Sequence, residues 1–320
     1  MKVFRHYTDI PDAYRGAVVA LGNFDGVHRG HQALIGFARQ LAEERGAPLG
    51  VIAFEPHPQE FFRPGGESFR LTPFRAKARR LAETGADAMF ALHFDAEMAG
   101  KSAQDFVLDV LVAGLGVGCV VVGPDFQFGK GRAGDFAVLA YMGEMEGFGV
   151  EKFDAVTADG EKISSTQIRE ALKAGKPEEA ARLLGHPWAV EGRVEHGDAR
   201  GRTIGVPTAN MHLNDCLAPA YGIYAARATV YEDDRAVLTR DGVANFGIRP
   251  MFETPVPLLE TWLFDFAADL YGRHLAVELV AYLRPEAKFD TLEALKAQIS
   301  EDAEAARAAL KSPPSHSRRA

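Results

Sequence analysis

Cysteine is nearly absent, with 2 in 320 residues, and the two thiols, Cys119 inside an apolar run and Cys216 in an expected loop, form neither a disulfide framework nor a zinc pattern. That scarcity fits a reducing compartment. Tryptophan is equally scarce, at 2, and no apolar run approaches the roughly 20 residues that span a bilayer. Met1 to Asp12 carries charges and no apolar core, so no secretory signal is expected there, and a cytoplasmic location without membrane partners is the default. Excess positive charge is missing too: the formal net charge is -8. With no basic aromatic stripe, nucleic acid is excluded as the expected partner. There is no internal repeat and no Gly-Lys-Ser/Thr P-loop. The composition leaves a homo-oligomer open.

What remains is ordinary globular composition with length for two domains. In the first half apolar runs alternate with helical patterns. Strands are expected at 18–21, 49–54, 88–94, 119–123 and 150–156, and helices at 32–44, 73–83, 102–114 and 135–146. The alternation predicts a mostly parallel sheet covered by helices on both faces, with ligands at the carboxyl ends of the strands. A helix beginning at 164–166 runs through Leu172, and after Gly175-Lys176-Pro177 continues over 178–184. Beyond Gly185-His186-Pro187 the pattern changes to segments rich in β-branched and aromatic residues at 188–195, 221–231, 236–244, 258–266 and 274–283. These predict a small antiparallel β-barrel, followed by a long surface helix over 291–310 and a disordered Ser/Pro/Arg-rich tail at 311–320.

Three loops carry candidate chemistry in the first half. Val18 to Leu21 breaks into Gly22-Asn23-Phe24-Asp25-Gly26-Val27-His28-Arg29-Gly30-His31, a glycine turn leading into a helix. A His-x-Gly-His arises in a chain of this composition with a chance of roughly one in thirty, so its place between strand and helix is what gives it weight. Helix N-terminal amides and two imidazoles there suit an α-phosphate, although one histidine capping the helix and the other lying exposed is an equal reading. Ser164-Ser165-Thr166 with Arg169 one turn later suits β- and γ-phosphates; by itself it also reads as a plain serine N-cap. Val122 to Gly129 adds the pair Phe126 and Phe128 beside Asp125, where alternating Phe also suits core.

In the second half, Gly197 to Gly205 is a glycine-punctuated loop with Arg202, ending in Pro207-Thr208-Ala209-Asn210. Thr208 and Asn210, two apart on a strand, face one side and can both reach one magnesium ion. Glu260, expected near a strand start, reads alone as a solvated carboxylate.

His-x-Gly-His with Ser-Ser-Thr-x-x-Arg resembles the nucleotidyltransferase superfamily. Phe54-Glu55-Pro56-His57-Pro58 and Val122 to Gly129 resemble the adenylyltransferase half of the bacterial bifunctional riboflavin kinase/FAD synthetase family. Gly197-Asp198-x-Arg200-Gly201-Arg202 through Asn210 is similar to that family's kinase signature, as are Asn245 to Pro250 and Glu260. The resemblance implies an α/β fold with a Rossmann-like nucleotidyltransferase domain at 1–185 and a riboflavin kinase barrel with its helix at 186–310. It implies Glu260, His28 and His31 as catalytic residues and ATP contacts at Gly22, Asn23, Phe24, Asp25, Ser164, Ser165, Thr166, Arg169, Gly197, Arg202, Thr208 and Asn210. Flavin contacts fall on Asp125, Phe126, Phe128, Asn245 and Arg249, and Mg2+ would ride with ATP on Thr208 and Asn210. Substrates would be riboflavin, FMN and ATP, with FMN and FAD as products. Pro124, Gln127, Ala199 and Met251 depart from the family's usual Glu, Arg, Lys and Thr. Without the resemblance, a transferase for another phosphate-bearing acceptor and a flavin- or nucleotide-binding regulator remain open.

Overall fold

The structure, a computed structural model, describes residues 1–154, 156–158, 161–196, 205–248 and 257–311. Gly197, Arg202 and Arg249 lie outside the described residues, as do Ala199, Met251 and most of the expected tail. Two compact units emerge: Met1–Glu67 with Phe74–Ile163, and Ser68–Pro73 with Ser164–Ala320.

The first unit is built on six parallel strands: β1 (Lys2–Phe4), β2 (Val18–Leu21), β3 (Leu49–Glu55), β4 (Ala88–His93), β5 (Cys119–Val122) and β6 (Gly149–Lys152). Their order is β1-β4-β3-β2-β5-β6. Alternate residues feed two cores. Val19, Leu21, Ile52 and Val120 face one, while Val18, Ala20, Val51 and Val121 face the other. Both faces are therefore covered, which is why these strands read as continuous apolar runs. Helix α1 (Arg29–Arg45) presents Leu34, Ile35, Ala38 and Ala42 to the second core and ends at Gly46 in the left-handed conformation. Four more helices follow: α2 (Pro58–Phe62), α3 (Phe74–Glu83), α4 (Ala96–Gly100) and α5 (Ala103–Asp105). The expected helix at 102–114 starts on a Ser102 capping box but continues from Phe106 to Leu115 as a π-helix. Helix α6 (Phe136–Glu146) is capped by Asp135, and a two-residue hairpin, β7 (Thr157–Ala158) and β8 (Glu161–Lys162), closes the unit. The strand expected over 150–156 stops at Lys152.

In the second unit α7 (Ser165–Lys173) and α8 (Pro177–Leu184) precede six antiparallel strands. These are β9 (Trp188–Arg193), β10 (Thr208–His212), β11 (Gly222–Glu232), β12 (Arg235–Ile248), β13 (Pro257–Leu263) and β14 (His274–Arg284), in the order β10-β13-β12-β11-β14-β9. Glu195, just past β9, donates its N–H to the Asn210 carbonyl at 2.9 Å and joins the two outer strands into the expected barrel. Tyr224, Phe246, Leu259 and Val277 are buried on one side of the sheet. The long helix, α9 (Leu292–Lys311), packs Ala303, Ala306 and Leu310 with Ala225, Val243 and Trp262 on the other. Strand β12 runs to Ile248, four residues beyond expectation, and so includes Asn245. Strand β13 ends at Leu263 because Asp265 turns with φ at 53°, so Glu260 sits mid-strand rather than at a strand start.

Candidate active sites

Without β1, the parallel strands follow the doubly wound order, and the reversal between β2 and β5 opens a crevice at their carboxyl ends. The loops after β2, β3 and β5 converge there on a cleft of about 850 Å³, whose lining includes Gly22, Asn23, His57, Asp125, Phe126 and Phe128. The aromatic wall is larger than the motif pair. Phe54, Phe62, Phe94 and Phe106 also line it, and Phe126 stacks on Phe128 at 5.4 Å and 16°. Gly129, at φ 72°, brings the loop against the Ala103 backbone; a Cβ there would lie 2.6 Å from the Ala103 nitrogen. Asp125 is exposed and paired with Lys162, whose hydrogen bond and charge hold the carboxyl below its usual range.

The His-x-Gly-His turn has a contorted backbone. Phe24 and Val27 adopt positive φ, 51° and 43°, conformations that cost on the order of 1–3 kcal/mol each and persist where the surroundings enforce them. Both side chains are buried in the core, Asp25 is buried beside them, and Gln32 donates to the Val27 carbonyl at 2.8 Å. His28 is the N-cap of α1, its Nδ1 accepting the His31 amide at 3.3 Å. Acceptance on Nδ1 fixes the Nε2–H tautomer, so capping and donation are compatible roles. His31 stacks on His28 at 3.6 Å, and Gly30 makes room for this, since a Cβ would lie 3.1 Å from the His28 ring. The His31 Nδ1 is shielded and has no hydrogen-bond partner among the described residues.

Burial first, then the neighbouring His28 and the charge of Lys77, push His31 well below its ordinary value of 6.5. The unfolded chain therefore takes up a proton below pH 6.5 that the folded state refuses. Stability is fully present above that pH and falls on acidification toward the folded value. Thermal melts of His31→Gln should show a shallower loss of Tm below pH 6.5 than the parent protein; an unchanged slope would contradict this assignment. Lys77 itself is 1% exposed, its Nζ 2.7 Å from Glu55 Oε1 at the end of β3. Nothing in the helical pattern of 73–83 separates this lysine from its solvated neighbours.

In the second unit Ser164 caps α7 in a capping box with Gln167, which is the plain reading of that serine. Ser165 and Thr166 occupy the first turn. The Nε of Arg169 donates to the Phe69 carbonyl at 2.8 Å and its guanidinium lies 5.2 Å from the Phe69 ring.

Strand register assembles the barrel site. Asn210 pairs with Glu260 across β10 and β13, and Glu260 pairs with Asn245 across β13 and β12. Directly opposed residues share a face, so the three lie in one row. Thr208 and Trp262 form the adjacent row on the same face. The Asn245 Oδ1 is shielded and without a hydrogen-bond partner among the described residues. One cleft adjoins this face, and a second opens on the opposite face, toward which Ala209, Thr261 and Leu263 alternate. The first, of about 280 Å³, is lined by Thr208, Asn245, Glu260, Trp262 and, from α9, Leu295 and Ile299. The other, about 620 Å³, is lined by Thr208, Thr261, His196 and Tyr271, the last two stacked at 3.8 Å. Thr208 is on the wall of both. A hydroxyl and an amide oxygen suit magnesium that keeps waters and phosphate oxygens as its other ligands. No group of three or more His, Cys, Asp or Glu able to hold a metal occurs among the described residues.

The family model for FAD synthetase matches residues 10–167, and that for riboflavin kinase matches residues 184–310. A bifunctional riboflavin kinase/FMN adenylyltransferase of Escherichia coli K12 is 43% identical over 303 residues, covering 94% of this chain and 96% of that protein. The chain belongs to the bifunctional riboflavin kinase/FMN adenylyltransferase family. The family's Pseudomonas fluorescens member is 43% identical over 317 residues, 99% of this chain and all of that protein. A solved structure described as a macrolide-efflux protein from Streptococcus pneumoniae shares the fold of this family member over 95% of the chain and 98% of its own, at TM-score 0.83 and 30% identity. Among the described residues, no helix is long and apolar enough to cross a membrane.

Proposed function

We propose that residues 186–310 phosphorylate riboflavin to FMN with ATP, and that residues 1–185 then transfer AMP from a second ATP to FMN, giving FAD and pyrophosphate, in the cytoplasm. The row of Asn210, Glu260 and Asn245, beside the cleft that Glu260, Asn245 and Thr208 line, with Thr208 also bordering the wider cleft, supports the reading. The narrower cleft takes the flavin, with Asn245 on its polar edge; the family resemblance makes Arg249 a further flavin contact. The wider one takes ATP; the family resemblance makes Gly197 and Arg202 contacts of that nucleotide. Glu260 accepts the proton of the ribityl primary hydroxyl as that oxygen attacks the γ-phosphorus. Thr208 and Asn210 hold the metal–ATP complex; magnesium, when bound, offsets phosphate charge.

In the other half, an FMN phosphate oxygen attacks the α-phosphorus in line as pyrophosphate leaves. That nucleophile is already anionic, so donors matter more than a base. His28 donates from Nε2–H, and His31 completes the imidazole pair. Gly22, Asn23, Phe24 and Asp25 shape the turn around the α-phosphate. The isoalloxazine stacks in the aromatic cleft against Phe126 and Phe128, near Asp125.

Incubation with riboflavin, ATP and magnesium, with flavins separated chromatographically over time, tests the sequence of reactions. FMN appears first and FAD follows. FMN accumulating alone would remove the second activity and point to Pro124 and Gln127; neither flavin forming from riboflavin, nor FAD from supplied FMN, would leave a binding protein.

A further inference from the structure

Helix α9 walls the narrow barrel cleft with Leu295 and Ile299, yet neither residue is fully buried, and Leu292 before them is 48% exposed. The first buried residue of the helix is a charged one, Asp302, followed by Ala303, Ala306 and Leu310. The turns that face the cleft therefore lie upstream of the apolar seat. A polar junction stands between the two parts, and its Arg284 and Asp302 themselves reach the cleft wall; another polar tie of the helix, Arg307 to Asp265, lies at its exposed far end. Arg284, the last residue of β14, donates from Nε to Asp302 Oδ1 at 2.8 Å and from Nη2 to Oδ2 at 2.7 Å. Gln298 donates to the same Oδ1 at 3.2 Å, and the remaining Arg284 nitrogen, Nη1, donates to the Pro285 carbonyl at 2.9 Å. The guanidinium also lies 5.9 Å from the ring of Phe289, another residue of the cleft wall.

A bidentate arginine–carboxylate pair is satisfied in one relative orientation, whereas contacts of alanine and leucine tolerate sliding and rotation. Asp302 is buried and Arg284 partly so; replacing a pair of this kind by apolar residues is often neutral for stability, so stability alone does not account for a carboxylate at this position. Orientation does. We propose that the Arg284–Asp302 pair is a positioning clasp for the kinase reaction, fixing the pitch of α9 so that Leu295 and Ile299 form the wall against which the flavin ring seats. It thereby sets which flavins enter, disfavouring those with bulky substituents on the ring. The inference rests on the reading that the narrow cleft holds the flavin.

Asp302→Asn keeps the shape and removes the charge. In the full-length protein it should raise KM for riboflavin by about tenfold while kcat stays within about twofold, because Glu260, Thr208 and Asn210 are carried by the sheet. Discrimination against a flavin bearing a bulky ring substituent should relax in parallel, and the double variant Arg284→Met/Asp302→Leu, which reseats the helix by packing, should recover most of the KM. FAD formation from supplied FMN reports that the chain is folded. Unchanged KM and discrimination in folded Asp302→Asn, or a fall in kcat and Tm without a KM change, overturns the clasp. Ile299→Trp fills the cleft and tests the underlying reading separately: if riboflavin KM does not move in that variant, the flavin lies elsewhere.

Discussion

Glu260→Gln removes FMN formation from riboflavin, lowering kcat by about 10²–10⁴-fold, the range general-base catalysis supplies, while FAD still forms from supplied FMN. Glutamine preserves the side-chain volume in the middle of β13, where Glu260 stands between Asn210 and Asn245. What it cannot do is accept the hydroxyl proton as the γ-phosphate is attacked. KM values for riboflavin and ATP should change little, because glutamine keeps the shape of the narrow cleft that Glu260 lines and Thr208 is untouched. Assays with riboflavin and with FMN as alternative starting flavins check both halves of this expectation.

His31→Ala gives the reciprocal result. FAD formation falls by about 10²–10³-fold, the scale of removing one preorganised donor from a developing oxyanion, and FMN formation continues. The ring does more than donate: it stacks on His28 at 3.6 Å and meets Phe24 edge-on at 5.1 Å. The His31 amide that His28 caps is backbone and survives the substitution, so α1 keeps its N-cap and the protein stays folded. The kinase assay on the same sample serves as the folding control.

The parallel sheet was legible because its strands are buried on both faces, and Val18 to Leu21 or Cys119 to Val122 read as apolar runs between helical patterns. The π-helix was not. Phe106 to Leu115 is so evenly apolar that no stripe separates a 3.6-residue period from a wider one. In the sites, residues adjacent in sequence were readable as motifs: the His28 and His31 turn, Ser164 to Arg169, Thr208 and Asn210. Residues joined only by the fold were not. Phe62, Phe94 and Phe106 come from three separate segments to one aromatic wall, and a lone phenylalanine carries no signal that it will line a cleft. Glu260 taken by itself reads as a solvated carboxylate near a strand start; the family resemblance singled it out, and the register of β13 sets it between two asparagines, a placement that sequence spacing does not give because strand pairing is non-local. Lys77 and Asp302 were hidden in amphipathic patterns for the same reason: each is buried against a partner, Glu55 or Arg284, that sequence spacing does not indicate.

The claim that two independent sites act in series is tested most directly by mixing the two variants in one vessel with riboflavin, ATP and magnesium. Neither Glu260→Gln nor His31→Ala alone should carry riboflavin through to FAD, and the mixture should do so, the second variant supplying FMN and the first adenylylating it. A mixture that makes no FAD, or either folded variant losing both activities by itself, contradicts the assignment of the two reactions to separate halves of the chain.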